Sequence, residues 1–159
     1  MHSWNTLSVR KDADDRVLAA LERLGETEQG ILVLHHALLN FRESQTWSRI
    51  CNIQDRSLHG YHPNVNLATH IANADHPITR GLNDWQRVDE TFEMNEPGPG
   101  SDILLTTDNP QSMKALGWVH EHKNARVFCY QGGHDNQTYI DPTFQAVLLR
   151  GIQWLAHKT

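Results

Sequence analysis

Eleven histidines among 159 residues are the feature of this chain that points most directly to chemistry. Imidazole has the ordinary pKa nearest neutrality, so it suits proton transfer and metal ligation alike. The histidines stand at 2, 35, 36, 59, 62, 70, 76, 120, 122, 134 and 157, so they can act together only if a fold gathers them. His35 and His36 directly follow the apolar run 30–34, and His134-Asp135 follows the run 126–131 and a Gly132-Gly133 pair. Paired glycines let the backbone turn sharply or approach a ligand closely. Asp135 has the chemistry to orient an imidazole, although neighbouring residues on an extended chain point apart. Asp89-Glu90 is a third grouping, of which only one member can face a given cleft if the segment is a strand. The spacing His59-Gly60-Tyr61-His62 resembles a metal-ligand pair only loosely. His120 and His122 share one face of a strand, which ordinary surface alternation also explains. No HExxH, GxGxxG, Walker loop or GxSxG occurs.

The elements that must position these groups follow from hydropathy and turn signals. Residues 12–25 read as a helix, with Asp12, Asp14 and Asp15 at its positive end and Val17, Leu18, Leu21 and Leu24 at helical spacing. Gly25 is its stop. The continuous apolar run 30–34 predicts a strand buried on both faces, as in parallel sheets. A second helix is expected over 37–51, then a loop around Gly60, Pro63 and Asn64. Strands are expected over 65–72, 86–94, 102–107, 117–121 and 126–131. A closing helix over 142–157 carries Phe144, Leu148, Ile152 and Leu155 as one apolar stripe. At roughly 150 residues per domain, and with no internal repeat, the expectation is a single α/β domain over 1–159. Ligands of such sheets bind outside the carboxyl ends of the strands.

Composition excludes several functions. Fourteen Lys and Arg against nineteen Asp and Glu give a net charge of −5, the wrong balance for a nucleic-acid backbone or a polybasic membrane contact. The longest aliphatic runs are too short for a membrane span. The first residues show no charged segment followed by an apolar run, so no signal peptide is expected. Cys51 and Cys129 lie outside any CxxC and read as reduced thiols of a cytoplasmic protein.

Several strings then occur in a recognisable order. They are Gly30-Ile-Leu-Val-Leu-His-His-Ala37, His59-Gly-Tyr-His-Pro63, His76-Pro-Ile-Thr-Arg-Gly-Leu82, Asp89-Glu-Thr-Phe-Glu93 and Asp102-Ile-Leu-Leu-Thr-Thr107. Trp118-Val-His-Glu-His122, Arg126-Val-Phe128, Gly133-His-Asp135 and Arg150-Gly-Ile-Gln-Trp154 complete the set. The chain thereby resembles the ThuA-like (trehalose utilisation) family. That resemblance implies a class I glutamine amidotransferase-like fold, a three-layer, open, mostly parallel, flavodoxin-like sheet.

Two departures qualify the resemblance. Where amidotransferases carry a cysteine nucleophile elbow after the strand like 30–34, this chain has His35-His36. Without a thiol at that turn, thioester chemistry on glutamine is excluded. The chain also starts where the family's second strand would be ending, so the first strand-helix-strand unit is expected to be absent or to precede Met1. An unpaired sheet edge would follow, and with it a homodimer or a poorly soluble monomer. A clean, stable monomer on size exclusion would count against that expectation.

The resemblance also implies sugar catabolism, with a small-molecule sugar as substrate and neither nucleic acid nor membrane as partner. Isomerisation of a 3-keto-glycoside such as 3-ketotrehalose needs a base and an electrophile at the carbonyl oxygen. Glu90 or His134 is the expected base, with His35 or His36 polarising the carbonyl and Asp135 orienting an imidazole. His62, Asp89 and Trp118 are the expected substrate-binding residues. No cofactor is certain. A divalent metal suits these residue types, although the sequence does not fix its ligands. The alternatives are a non-catalytic carbohydrate-binding module and a metal-dependent hydrolase.

Overall fold

Over residues 15–159, which the computed structural model describes, the apolar runs become strands and helices in a mixed order. Helix α1 (Asp15–Arg23) leads to β1 (Ile31–Leu34), a 3-10 turn (His35–Leu39) and α2 (Gln45–Cys51). Then follow β2 (Gly60–Ile71), β3 (Trp85–Glu93), β4 (Asp102–Thr106), β5 (Ala115–His122) and β6 (Ala125–Tyr130). Helices α3 (Asn136–Tyr139) and α4 (Pro142–Leu155) close the chain. The helix expected over 12–25 is thus seen as α1; residues 12–14 lie outside the described residues.

The sheet order is β1-β6-β5-β4-β2-β3. Alternate residues of its central strands serve two cores, which is what makes three layers. Val127 and Cys129 pack with Leu21 of α1 and Trp47 and Ile50 of α2, whereas Phe128 and Tyr130 pack with Phe144 and Val147 of α4. A strand buried on both faces reads as a continuous apolar run, as β1 and β6 do.

The expectation of a mostly parallel sheet is corrected. Among the described residues only β1 and β6 are parallel, and the pairs β6–β5, β5–β4, β4–β2 and β2–β3 are antiparallel. Parallel neighbours need a crossover of about a dozen residues or more, and β5 joins β6 through Lys123 and Asn124 alone, with Lys123 at φ +55°.

Three local expectations are also corrected. The helix expected over 37–51 is broken, because Phe41 adopts φ +46° and the chain restarts with the Ser44 hydroxyl accepting from the Trp47 N–H. The buried Arg56 guanidinium stabilises the break by donating to the carbonyls of Leu38, Asn40 and Phe41. Strand β2 starts at Gly60 rather than 65, and absorbs Pro63 and Asn64 (φ +56°) in a bulge between His62 and Val65. On α4 the buried face is Phe144, Val147, Gly151 and Leu155, which leaves Ile152 49% exposed. No helix among the described residues is long and apolar enough to cross a membrane.

Candidate functional site

Because β1 and β6 are parallel neighbours, with Leu34 opposite Tyr130, the residues that follow both strands emerge side by side. His35 takes the first step out of β1 at φ +48°, a backbone conformation costly for a residue with a side chain and often found where function demands it. Residues 131–134 leave β6 beside it, and Gly133 turns at φ +121°.

The third wall comes from the far end of the sheet. Strand β2 pairs with β4 only through His70 and Ile71, while the rest of it pairs with β3. The β2–β3 ribbon therefore folds back over the strand ends. The Phe92 carbonyl accepts from Met113 N–H and from the Gln131 side chain, and the Phe92 ring stacks 4.9 Å from His35 and 5.8 Å from His36. This return brings Glu90 to the histidines.

Four side chains converge there. His35 Nε2 lies 3.3 Å from His134 Nδ1 and 3.5 Å from Glu90 Oε1. His36 Nε2 lies 3.2 Å from Glu90 Oε1, and His134 Nδ1 lies 3.5 Å from Glu90 Oε2. Glu90 is 4% exposed and His35 is buried, whereas the side chains of His36 and His134 are 39% and 30% exposed. Burial raises the Glu90 carboxyl, but hydrogen bonds from His35 and His36 and the charge of His134 outweigh it and bring the pKa to about 2. Glu90 is an anion held out of water by three imidazoles. One donor atom from each of the four lies within 4.8 Å of the others, a set that could hold a metal ion.

Asp89, one residue away, does something different. Its carboxylate accepts the backbone N–H groups of Glu90, Gly133 and His134, and the side-chain Nε of Arg87 at 3.0 Å. Arg87 is anchored in turn on the Thr69 hydroxyl at 2.8 Å. A Cβ at position 132 would come within 2.6 Å of Arg87 Nη2, so glycine is what lets the loop approach this pair. Asp89 is buried under the loop that carries His134, which corrects its expected substrate contact: it positions the loop instead.

Two more expected roles are corrected. Trp118 is fully buried, with its indole N–H donating to the Cys51 carbonyl, so it faces no surface that a sugar can reach. Asp135 caps α3 by accepting from Gln137 N–H, and no hydrogen bond among the described residues joins it to an imidazole. His62 stands apart from the cluster, on the β2–β3 ladder, 2.5 Å from Glu93 and 3.2 Å from the Gln111 amide. Both thiols are buried and free of any disulfide, and burial pushes Cys129 well up. Sequence reasoning missed Gln131, Phe92 and Arg87. A buried arginine two positions before an aspartate in an apolar strand was the one visible sign of the supporting pair.

A three-layer α/β sheet with a histidine cluster at the carboxyl ends of a parallel pair defines a class I glutamine amidotransferase-like fold, in which His35-His36 follows β1. The solved structures agree on the fold: a protein described as belonging to a GMP synthase of Thermoplasma acidophilum superposes with TM-score 0.53 at 9% identity, over 90% of this chain and 65% of that one. The chain belongs to the ThuA family, described as trehalose utilisation, which matches residues 2–155. A ThuA-like protein from Parabacteroides merdae is similar with TM-score 0.74 and 23% identity, over 91% of this chain and 67% of that one. Another from Bacteroides uniformis gives 0.73 and 18%, over 87% and 62%. The chain thus spans only about two thirds of the length of these structures. No curated protein matches it. The family's description supports a role in sugar catabolism.

Proposed function

We propose that the His35, His36, Glu90 and His134 cluster moves a proton beside the ketone of a 3-keto-glycoside such as 3-ketotrehalose, as an isomerase of sugar catabolism does. The observation that supports this reading most is the division of exposure within the cluster: a buried anion backs two half-exposed imidazoles. His134 Nε2 makes no hydrogen bond within the described residues, while Nδ1 of the same ring faces Glu90. In this reading His134 Nε2 takes the C–H proton, and the electron pair of that bond moves into the adjoining C–C bond as the ketone oxygen becomes an enediolate. Glu90 stabilises the imidazolium that forms, and His36 donates to the enediolate oxygen. The proton returns at the former ketone carbon, while the proton of the adjacent hydroxyl passes to the former ketone oxygen, so that the carbonyl now stands at the neighbouring carbon. Glu90 itself, buried and with a pKa of about 2, is too weak and too remote from ligand to be the base. The two buried thiols, free of any disulfide, support a cytoplasmic setting.

Proton NMR of a 3-keto-glucoside in D2O tests the reading. Protein-dependent loss of the signal beside the carbonyl is expected. Saturable sugar binding with no exchange, from folded protein, would overturn it in favour of a binding module.

A further inference from the structure

We infer that Nε2 of His35, Nε2 of His36, Nδ1 of His134 and the carboxylate of Glu90 form a binding site for one divalent transition-metal ion of the zinc type. The site does not depend on the proton-transfer reading and goes beyond it.

Gln131 C=O can only accept, so the His35 Nδ1 2.7 Å away carries a proton and donates it. The hydrogen bond to Glu90 needs a second proton, on Nε2; with the ring neutral, as a metal ligand must be, Nε2 instead turns its lone pair toward the Glu90 anion and His134 Nδ1. Acceptors buried face to face repel unless a positive charge stands between them. A backbone carbonyl on the far nitrogen is also the partner that metal-bound imidazoles usually have, since it fixes both tautomer and ring orientation.

The spacing fits an ion. Ligand atoms about 2.0–2.1 Å from a tetrahedral centre lie roughly 3.3–3.4 Å from one another. His35 Nε2 lies 3.3 Å from His134 Nδ1, Glu90 Oε1 lies 3.5 and 3.2 Å from His35 and His36 Nε2, and the other carboxylate oxygen faces His134 at 3.5 Å. With one atom from each residue the set stays within 4.8 Å, so the wider pairs close inward on the ion. Three imidazoles with one carboxylate suit zinc, cobalt, nickel or copper better than magnesium or calcium, which prefer oxygen. The ligands are also held in place before any ion arrives, His35 and His36 by the Phe92 ring and the 133–134 backbone by Asp89. Two other His–carboxylate groupings among the described residues do not match: His62 meets one carboxylate, Glu93, and His70 meets Asp84 and Asp108 on the surface.

An ion on Nδ1 of His134 leaves that ring's proton on Nε2. Metal loading and the base role of His134 therefore exclude each other, and zinc is expected to suppress the exchange described above. The test is titration of the chelator-treated protein with zinc, followed calorimetrically, and with cobalt, followed by its visible absorption. One equivalent should bind, with the intense bands of a four-coordinate cobalt centre. His36→Ala and Glu90→Gln should each weaken binding at least about tenfold, and His70→Ala and His62→Ala should leave it unchanged. His36 is half exposed, so its variant keeps the test valid if Glu90→Gln fails to fold. Absence of stoichiometric binding, or binding that survives both cluster variants, would overturn the site. Exchange by protein that binds no zinc would leave the proton-transfer reading standing alone. Exchange that rises with loading would overturn His134 as the base and leave the site intact.

Discussion

Two regions of this molecule bring histidine to carboxylate in contrasting ways, and the one with the shorter contact is the weaker. On the surface, His70 Nδ1 lies 2.8 Å from Asp84 and its Nε2 lies 3.8 Å from Asp108, but those two aspartates are 58% and 84% exposed. An exposed pair of this kind contributes little, because water competes for both partners. In the cluster the contacts are 3.2–3.5 Å, yet Glu90 is out of water and its pKa falls to about 2. Burial and the number of partners decide which group can do chemistry, and the distance of any single pair does not. The fold arranges this by placing the parallel pair β1–β6 under the returning β2–β3 ribbon, whereas His70 and Asp84 sit where that ribbon leaves the sheet.

The comparison can be broken most severely at His134. Its replacement by alanine should lower exchange by about 10²–10⁴-fold, the usual worth of a general base, without changing the far-UV spectrum, while His70→Ala should leave exchange intact. Equal losses in the two variants would erase the distinction. Asp89→Asn should sharpen it. With the 133–134 backbone held less firmly, exchange should fall by roughly 10–100-fold while the dissociation constant of the keto-sugar stays the same. A changed sugar affinity would show that Asp89 touches substrate after all. Trp118→Phe should separate stability from function: loss of the indole bond to the Cys51 carbonyl should cost about 1–3 kcal/mol in urea unfolding and leave exchange unchanged.

The smallest effect concerns acid. Burial pushes His122 below its ordinary 6.5, and its Nε2 has no hydrogen-bond partner among the described residues, so the folded state favours the neutral ring. The unfolded chain then binds the proton more readily. Stability from this group is present above 6.5 and is lost as pH falls through the lower, folded value. His122→Gln should flatten the decline in unfolding free energy between pH 7 and about 5; an unchanged slope would assign the decline to other groups.

Much of the frame was legible because it rests on local pattern. The runs that became β1, β4, β6 and α4 are continuous or periodic in apolar residues, and burial on two faces demands that. His35, His36 and His134 could be singled out because each closely follows such a strand. Glu90 and Asp89 could not be told apart, since alternation says only that neighbours diverge. Both turn out buried, one against imidazoles and the other against backbone N–H groups, because the ribbon returns over the loop after β6. That return depends on contacts far apart in sequence, as does the break at Phe41, where the decisive residue is Arg56. Trp118 misled for a related reason: an aromatic ring reads alike in a sugar pocket and in a core.

If the cluster works as one unit, a double-mutant cycle between His134 and Glu90 will reveal it. Exchange of the proton beside the ketone would be compared among the wild type, His134→Ala, Glu90→Gln and the double variant. Groups that act as a unit give strongly non-additive losses. The double variant should be no slower than His134→Ala alone. Losses that multiply would mean that the two residues act independently, and the cluster would not be a single site.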